Sequence, residues 1–328
     1  MENLKIKKIS SKVCIIGNLN IDLIIRNVPR LPEWGQEVLG DDYVIVSSGQ
    51  SAYTAFALRN LGIETGIIGN VGDDLYGSKI LGELNEKKID TSQIETIKNG
   101  KTGISIAIAR PDGERAFVSD TACLKDFNIS LIDRHKDYID KSDLVLMVGL
   151  FFLPGLKLQD ARTILKHVRK IGKTTLLDTG WDPNNWQPHT LQELSGILHE
   201  VNIFIPNLDE ACAITGLKDP EKAAAHLRNL GPHTVIIKLG AEGSYALNDT
   251  ESIFTPPQKV KAFDAVGAGD VFNAGFIFSH LQNWPLKACM QFGNSTAALY
   301  ISKPNDRFPP LIDVAEFAKR YHTYSYDL

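Results

Sequence analysis

Two hydrophobic rhythms run along this chain. Beyond residue 140 short stretches are apolar almost throughout: Leu144 to Phe152, Thr174 to Asp178, Val201 to Pro206 and Val235 to Leu239. Strands of that kind are covered on both faces. Helical stretches separate them, such as Leu158 to Ile171 before Gly172, and another with Asp219 as cap, Pro220 at its first position and Gly231 as its stop. Buried strands alternating with helices predict βαβ units and a parallel sheet. Nearer the N-terminus the rhythm becomes alternation. Ile104, Ile106 and Ile108 interleave with Ser105, Ala107 and Ala109; Pro111-Asp112-Gly113 makes a turn and Arg115 to Ser119 returns, giving a hairpin with one wet face. Lys12 to Ile25 reads as one strand, VCIIG running into alternating Leu19, Ile21 and Leu23, and Asp41 to Val46 as a second. Ser51 to Asn60 is a helix ended by Gly62, Thr65 to Gly69 a strand, and Asp74 to Lys87 an amphipathic helix. The half-wet strands do not suit the buried core, so they are expected to form a small sheet projecting from it, a candidate lid.

The 328 residues suffice for a large core, and no linker, repeat or low-complexity stretch divides them, which predicts one domain over residues 1–328. With 43% hydrophobic and 23% charged residues the chain is globular. A net charge of −4 without a basic arm argues against nucleic acid. The apolar run after the basic N-terminus is too short for a signal segment, and no stretch reaches membrane-spanning length, so no membrane partner is expected. Cys14, Cys123, Cys212 and Cys289 lie far apart and eight histidines form no HExxH, which fits reduced thiols in a cytoplasm and no zinc framework.

The most informative chemistry lies in Asp264-Ala265-Val266-Gly267-Ala268-Gly269-Asp270, which opens the apolar run VFNAGFIFSHL. A turn feeds directly into a helix there. Gly267 and Gly269 leave the backbone bare at the helix mouth, where unpaired N–H groups and the helix dipole favour an anion. Asp270 stands in the first turn. An anion hole beside a carboxylate is what phosphoryl transfer to a hydroxyl needs, although the same residues also suit a tight turn with a capping aspartate.

Other polar residues end buried strands. Asn207-Leu208-Asp209-Glu210 follows VNIFIP: Asn207 reads as a helix cap, or, at the carboxyl end of a parallel strand, Asn207 and Glu210 hold the water shell of a Mg²⁺ beside a nucleotide. Lys238-Leu239-Gly240-Ala241-Glu242-Gly243 supplies turn glycines that also admit a nucleotide close to the backbone. In Gly17-Asn18-Leu19-Asn20-Ile21-Asp22, Asn20 and Asp22 face one side and can grip vicinal hydroxyls, or simply form an exposed edge. Ser48-Gly49-Gln50 precedes a helix, as a plain cap or as a ligand contact through Gln50. Two P-loop lookalikes, Gly100-Lys101-Thr102 and Gly172-Lys173-Thr174, have Glu95 and His167 where the first glycine belongs and precede strands rather than helices. Phe272 at the third glycine position likewise disfavours a dinucleotide fingerprint, and with it a nicotinamide oxidoreductase.

Together these pieces resemble the ribokinase-like, or PfkB, family of carbohydrate kinases over nearly the whole chain. GNLNID is similar to the family's first-strand sugar motif, SGQSA with AFALRNLG to its first signature, GNVGDDLYG to the segment after it, NLDE to NxxE, KLGAEG to its nucleotide turn and DAVGAGD to its second signature. The resemblance implies a Rossmann-like three-layer α/β core with a mainly parallel sheet and a β-sheet lid, here segments of approximately 19–48 and 101–121, using ATP and Mg²⁺. It implies Asp270 as general base, Gly267, Ala268 and Gly269 as anion hole, Asn20, Asp22 and Gly49 (with Gln50 beside them) as sugar contacts, Asn207, Lys238, Gly240, Gly243 and Asn294 on the nucleotide side, Glu210 near Mg²⁺ and Asp264 at a K⁺ position.

The chain also departs from that pattern. Ser48 replaces the first glycine of the first signature, and Tyr53 an asparagine. VLMVGLFFLPG lacks a substrate glutamate seen in ribokinases. In Asp178-Thr179-Gly180-Trp181-Asp182, continuing to Trp186, Gly180 and Asp182 replace the Asn and Arg of a DxNxR stretch in fructose and sugar-acid kinases. Ribose and an acidic sugar are both disfavoured. The expected activity is ATP-dependent phosphorylation of a hydroxymethyl group on a small sugar; a nucleoside kinase of the same fold and a non-catalytic sugar or nucleotide sensor are the alternatives. A half-apolar lid sheet is suited to pairing with a second copy, giving a homodimer.

Overall fold

The computed structural model describes residues 2–112, 115–304, 307–321 and 324–327; Gly113 of the expected hairpin turn lies outside them. Its strands are β1 (Glu2–Lys5), β2 (Lys12–Ile16), β3 (Asn20–Arg26), β4 (Asp42–Ser48), β5 (Glu64–Gly72), β6 (Ile94–Ile97), β7 (Gly103–Ala109), β8 (Arg115–Asp120), β9 (Leu144–Val148), β10 (Thr174–Asp178), β11 (Ile203–Phe204), β12 (Thr234–Lys238), β13 (Ser244–Leu247), β14 (Ser252–Thr255) and β15 (Tyr324–Asp327). The helices are α1 (Gln50–Asn60), α2 (Leu75–Glu86), α3 (Ile129–Arg134), α4 (Lys136–Asp140), α5 (Leu158–Lys170), α6 (Pro188–Leu198), α7 (Leu208–Thr215), α8 (Pro220–Asn229), α9 (Ala268–Leu281), α10 (Leu286–Ser302) and α11 (Leu311–Tyr321).

Nine strands form the main sheet in the order β14-β13-β12-β11-β10-β9-β2-β5-β6. From β12 to β6 every pair is parallel, while β13 and β14 extend one edge as antiparallel hairpins. The unbroken apolar runs follow from burial on both faces. Val13, Ile15, Leu144, Leu146, Val148, Leu176 and Ile236 point into one core, whereas Cys14, Ile16, Val145, Met147, Leu177, Val235 and Ile237 point into the other. The two-residue period of a strand thus feeds two cores, and helices cover each, which makes three layers. α9 is buried at every position from Asp270 to Ser279, so its apolar run has no wet face. It lies against α10 closely enough that a Cβ at Gly275 would come within 2.4 Å of Thr296 Oγ1.

The second sheet has the order β4-β3-β7-β8, with β3 and β7 parallel and the outer pairs antiparallel. The expected strand Lys12 to Ile25 is therefore two strands in two sheets. The chain breaks at Gly17, where a Cβ would clash with Val148 at 2.5 Å, and leaves the main sheet. The expected strand Leu144 to Phe152 stops at Val148, because Gly149 takes a left-handed φ of 61° and a short helical turn follows.

Candidate active site

The polar candidates gather beyond the carboxyl ends of the parallel strands, where an α/β sheet opens a crevice. β2 leads into Asn18, β9 into Gly149, β10 ends on Asp178, β11 leads into Asn207 and β12 ends on Lys238. The mouth of α9 faces this row: a Cβ at Gly269 would lie 3.4 Å from Lys238 Nζ.

Gly267 is the N-cap of α9, with a left-handed φ of 81°. The turn before it is held from within. Val266 N–H donates to Asp264 Oδ1 at 2.9 Å, and Ala268 N–H to Ala265 O at 3.1 Å. The N–H groups of Gly267, Gly269 and Asp270 make no such bond among the described residues, so the donors available to an anion are these three. Ala268 contributes its place in the turn and not its N–H.

Asp270 is buried, and its carboxyl is held well above the usual range, first by burial and then by the nearby charge of Asp178; Lys238 and a hydrogen bond from Gln50 work in the other direction. A carboxylate with raised proton affinity is suited to take a proton from a hydroxyl. Asp178 anchors the neighbouring charges: its Oδ2 accepts from Lys238 Nζ and, at 2.6 Å, from Asn273 Nδ2. Burial alone would lower the Lys238 pKa, but Asp178 and Glu210 outweigh it and raise it, so the lysine stays charged.

Beyond the end of β11, Asn207 and Glu210 form a reciprocal capping box. Asn207 Oδ1 accepts from Glu210 N–H at 2.8 Å, and Glu210 Oε2 accepts from Asn207 N–H at 2.9 Å. Asn207 also bridges to Lys238. Burial, then the charge of Asp178, raises the Glu210 pKa. Gly240 (φ 59°) and Gly243 (φ 102°) form the turn after β12, and a Cβ at Gly243 would strike Thr255 O at 2.2 Å. Asn294 Nδ2 donates to the carbonyls of Thr255 and Pro256 at 3.3 and 3.4 Å, pinning that same segment. Among the described residues no cluster of three or more His, Cys, Asp or Glu side chains could hold a metal ion directly. This donor set fits a Mg²⁺ that keeps several waters and binds through nucleotide phosphates.

On the opposite side, Asn20 Nδ2 donates to Asp22 Oδ1 at 3.0 Å and to Ser48 Oγ at 2.8 Å, and Asn18 Nδ2 donates to Asn20 Oδ1 at 2.9 Å. Tyr53 Oη reaches Asp22 Oδ2 at 3.4 Å, so the residue that departs from the family pattern closes on the same carboxylate. Gly49 is required where it stands, with φ 90° and Asn18 O only 2.4 Å from where a Cβ would sit. Gln50 lies between this group and Asp270; a Cβ at Gly180 would be 2.8 Å from its Oε1. Asp182 accepts from Asn184 and Trp186 N–H and shapes its own loop.

Burial pushes Asp22 up to about 6, against hydrogen bonds from Ser48, Tyr53 and Asn20. Between its ordinary 3.8 and about 6 the folded chain keeps a proton that the unfolded chain releases, so this group's contribution to stability is lost as pH rises through that window. If Asp22 holds the acceptor, ligand binding follows the opposite sign, since the ionised carboxylate accepts hydroxyl hydrogen bonds more strongly than the neutral acid. KM for the acceptor is expected to rise as pH falls below about 6, and Asp22→Asn should flatten that limb of the pH profile; an unchanged limb in the variant would contradict it.

Asp264 lies behind the turn, its Oδ2 bonded to Arg307 Nη1 at 2.8 Å and 3.7 Å from Arg26 Nη2. Asn18, Asp178 and Arg307 were given no role from the sequence. Asn18 has a buried Oδ1 without a partner among the described residues, and its place inside GNLNID was the available signal. Asp178 is the lone charge ending the apolar strand TTLLD. Nothing local marks Arg307.

Comparison with known proteins places the chain in a family. Residues 10–313 match the family described as pfkB family carbohydrate kinase. The chain is 28% identical over 318 residues to 5-dehydro-2-deoxygluconokinase of Geobacillus thermodenitrificans, covering 92% of this chain and 91% of that one. It is 28% identical over 295 residues to ribokinase of Haemophilus influenzae, covering 88% and 92%. The structure of Arabidopsis thaliana ribokinase complexed with ribose and ATP shares the fold, with a TM-score of 0.79 at 20% identity over 95% of this chain and 99% of that one. The chain belongs to the pfkB family of carbohydrate kinases, and sugar kinase is the coarse function that follows.

Proposed function

We propose that this chain transfers the γ-phosphoryl group of ATP to a hydroxymethyl group of a small, uncharged sugar. One observation carries the reading: Asp270, a buried carboxylate with raised proton affinity, is in the first turn of the helix whose mouth, at Gly269, lies against Lys238. Asn18, Asn20, Asp22 and Gln50, with Gly49 admitting the ligand, hold the sugar. Asp270 takes the hydroxymethyl proton as its oxygen bonds to phosphorus and the bond to the ADP oxygen breaks. Gly267, Gly269 and Asp270 N–H groups stabilise the charge on the transferred group. Lys238, Asn207, Gly240, Gly243 and Asn294 line the nucleotide side. Bound Mg²⁺ would neutralise phosphate charge, with Glu210 orienting its waters.

The neutral substrate follows from the sugar side. Among the described residues the hydrogen-bond partners of Asn18, Asn20 and Asp22 are amides, hydroxyls, backbone and the Asp22 carboxylate itself, with no lysine or arginine. Relatives are named for deoxygluconate derivatives as well as ribose, so this choice separates them. Residues 1–328 act in this reading as one domain, with segments 19–48 and 101–121 as a lid that excludes water. Exposed Leu39, Tyr43, Phe117 and Val118 on or beside that sheet suit a homodimer, and sedimentation showing monomer alone would remove it. The cytoplasm, with ATP and reduced thiols, is the compartment that suits it.

A coupled ADP-release screen over pentoses, hexoses, sugar acids and nucleosides, with Asp270→Ala as control, tests the reading. ADP formed with a neutral sugar is expected. Preference for a sugar acid or a nucleoside would overturn the substrate class, and no ADP with any acceptor would leave a binding protein.

A further inference from the structure

The turn that presents its N–H groups to the anion has a reverse side, and a guanidinium occupies it. Arg307 Nη2 donates to Asp264 O at 2.5 Å and to Val266 O at 3.4 Å, and Nη1 donates to Asp264 Oδ2 at 2.8 Å. Its Cζ lies 4.0 Å from the centre of the Tyr300 ring, and Tyr300 Oη itself donates to Val266 O at 2.9 Å. Both charged side chains are largely shielded, at 14% and 10% exposure. Arg26, from β3, adds a second positive charge 3.7 Å from the same carboxylate oxygen.

A K⁺ ion at Asp264 does not fit these residues. The carbonyl and carboxylate oxygens that would surround it already accept from Arg307, and a third positive charge would face two guanidinium groups across a shielded space. The consequence for the anion site is direct. Val266 C=O and Gly267 N–H belong to one peptide group. A cation on the carbonyl draws electron density through that peptide and makes its N–H a stronger donor.

We propose that Arg307 is a tethered cation that positions and polarises the 264–267 turn, so that the anion site works without a bound monovalent ion. Arg307 does not reach the reacting atoms; it is a positioning residue. The proposal rests on the kinase reading above.

The test measures phosphotransfer by the intact protein in tetramethylammonium and in K⁺ buffers of equal ionic strength, for wild type, Arg307→Ala and Arg307→Lys, with melting temperature followed in the same buffers. Wild type should show equal kcat and equal melting temperature in both. Arg307→Ala should lose about tenfold or more in kcat, since misplacing a preorganised donor is costly, and should recover part of it with K⁺ or added guanidinium, which should also raise its melting temperature. Arg307→Lys should retain most of the activity without K⁺. A wild type that needs K⁺, or an Arg307→Ala protein with full kcat in tetramethylammonium, overturns the proposal. So does an inactive Arg307→Lys protein that folds, or an inactive Arg307→Ala protein that no cation rescues. If Arg307→Ala does not fold, the wild-type and lysine arms decide. Absence of phosphotransfer by wild type in every buffer would instead sink the kinase reading, and the melting arm would still report whether K⁺ binds.

Discussion

Asp270→Asn is expected to lower kcat by about 10²- to 10⁴-fold while leaving the fold at least as stable as wild type. The two halves have one cause. Burial and the Asp178 charge hold the Asp270 carboxyl above its usual range, so ionising it costs more in the folded chain than in the unfolded one. The stability lost there returns as pH falls through the raised value, and asparagine removes the charge altogether. An isosteric amide keeps the volume and its place in α9 but cannot accept the proton. ATP affinity, read by calorimetry, should change little, since Lys238 and the capping box stand on other elements. A variant that is both inactive and poorly folded would mark Asp270 as a structural cap.

Gly267→Ala should be nearly as damaging, by a different route. The backbone there is left-handed, where an L side chain costs on the order of 1–2 kcal/mol. The new methyl would also come within 2.8 Å of the Tyr53 ring and 3.0 Å of Tyr300 Oη, and both rings are buried. The turn must shift, and with it the Gly269 and Asp270 N–H groups. A loss of roughly 10²-fold or more in kcat is expected, with a lower melting temperature. Gly269→Ala is the internal comparison. Its Cβ would meet only the flexible end of Lys238 at 3.4 Å, so the fold should tolerate it and the loss should be smaller. Equal effects at both glycines would argue against a turn shaped for an anion.

The main sheet was legible because burial on both faces leaves a plain mark, apolar runs such as LVLMV and TVIIK. The small sheet was legible through alternation in β7. What escaped were changes of direction. Nothing in KVCIIGNLNIDLIIR shows that Gly17 hands the chain from one sheet to the other, because both halves are apolar enough to continue. The antiparallel β13 and β14 were missed because four-residue strands carry little periodicity. At the candidate site, motifs marked residues whose contacts lie close to their own backbone: Gly267, Asn207 with Glu210, and Asn20 with Asp22. Pairings across the fold were invisible. Lys238 meets Asp178 over 60 positions and Asp264 meets Arg307 over 43, distances at which sequence spacing holds no information. Tyr53 shows the mixed case. Its departure from the family pattern was plain, but that its hydroxyl closes on Asp22 needed the fold.

In the proposed reaction the mouth of α9 joins an ATP phosphate to a hydroxymethyl oxygen through Asp270. Phosphorus NMR of the reaction mixture, run with the best acceptor from the screen and with equal amounts of wild-type and Asp270→Asn protein, tests it most directly. A new phosphomonoester signal, coupled to the hydroxymethyl protons of the sugar, should grow with wild type as the ATP γ signal declines, and at least about 10²-fold more slowly with the variant. A phosphoester on a ring hydroxyl, free phosphate in place of sugar phosphate, or equal rates for the two proteins would contradict it.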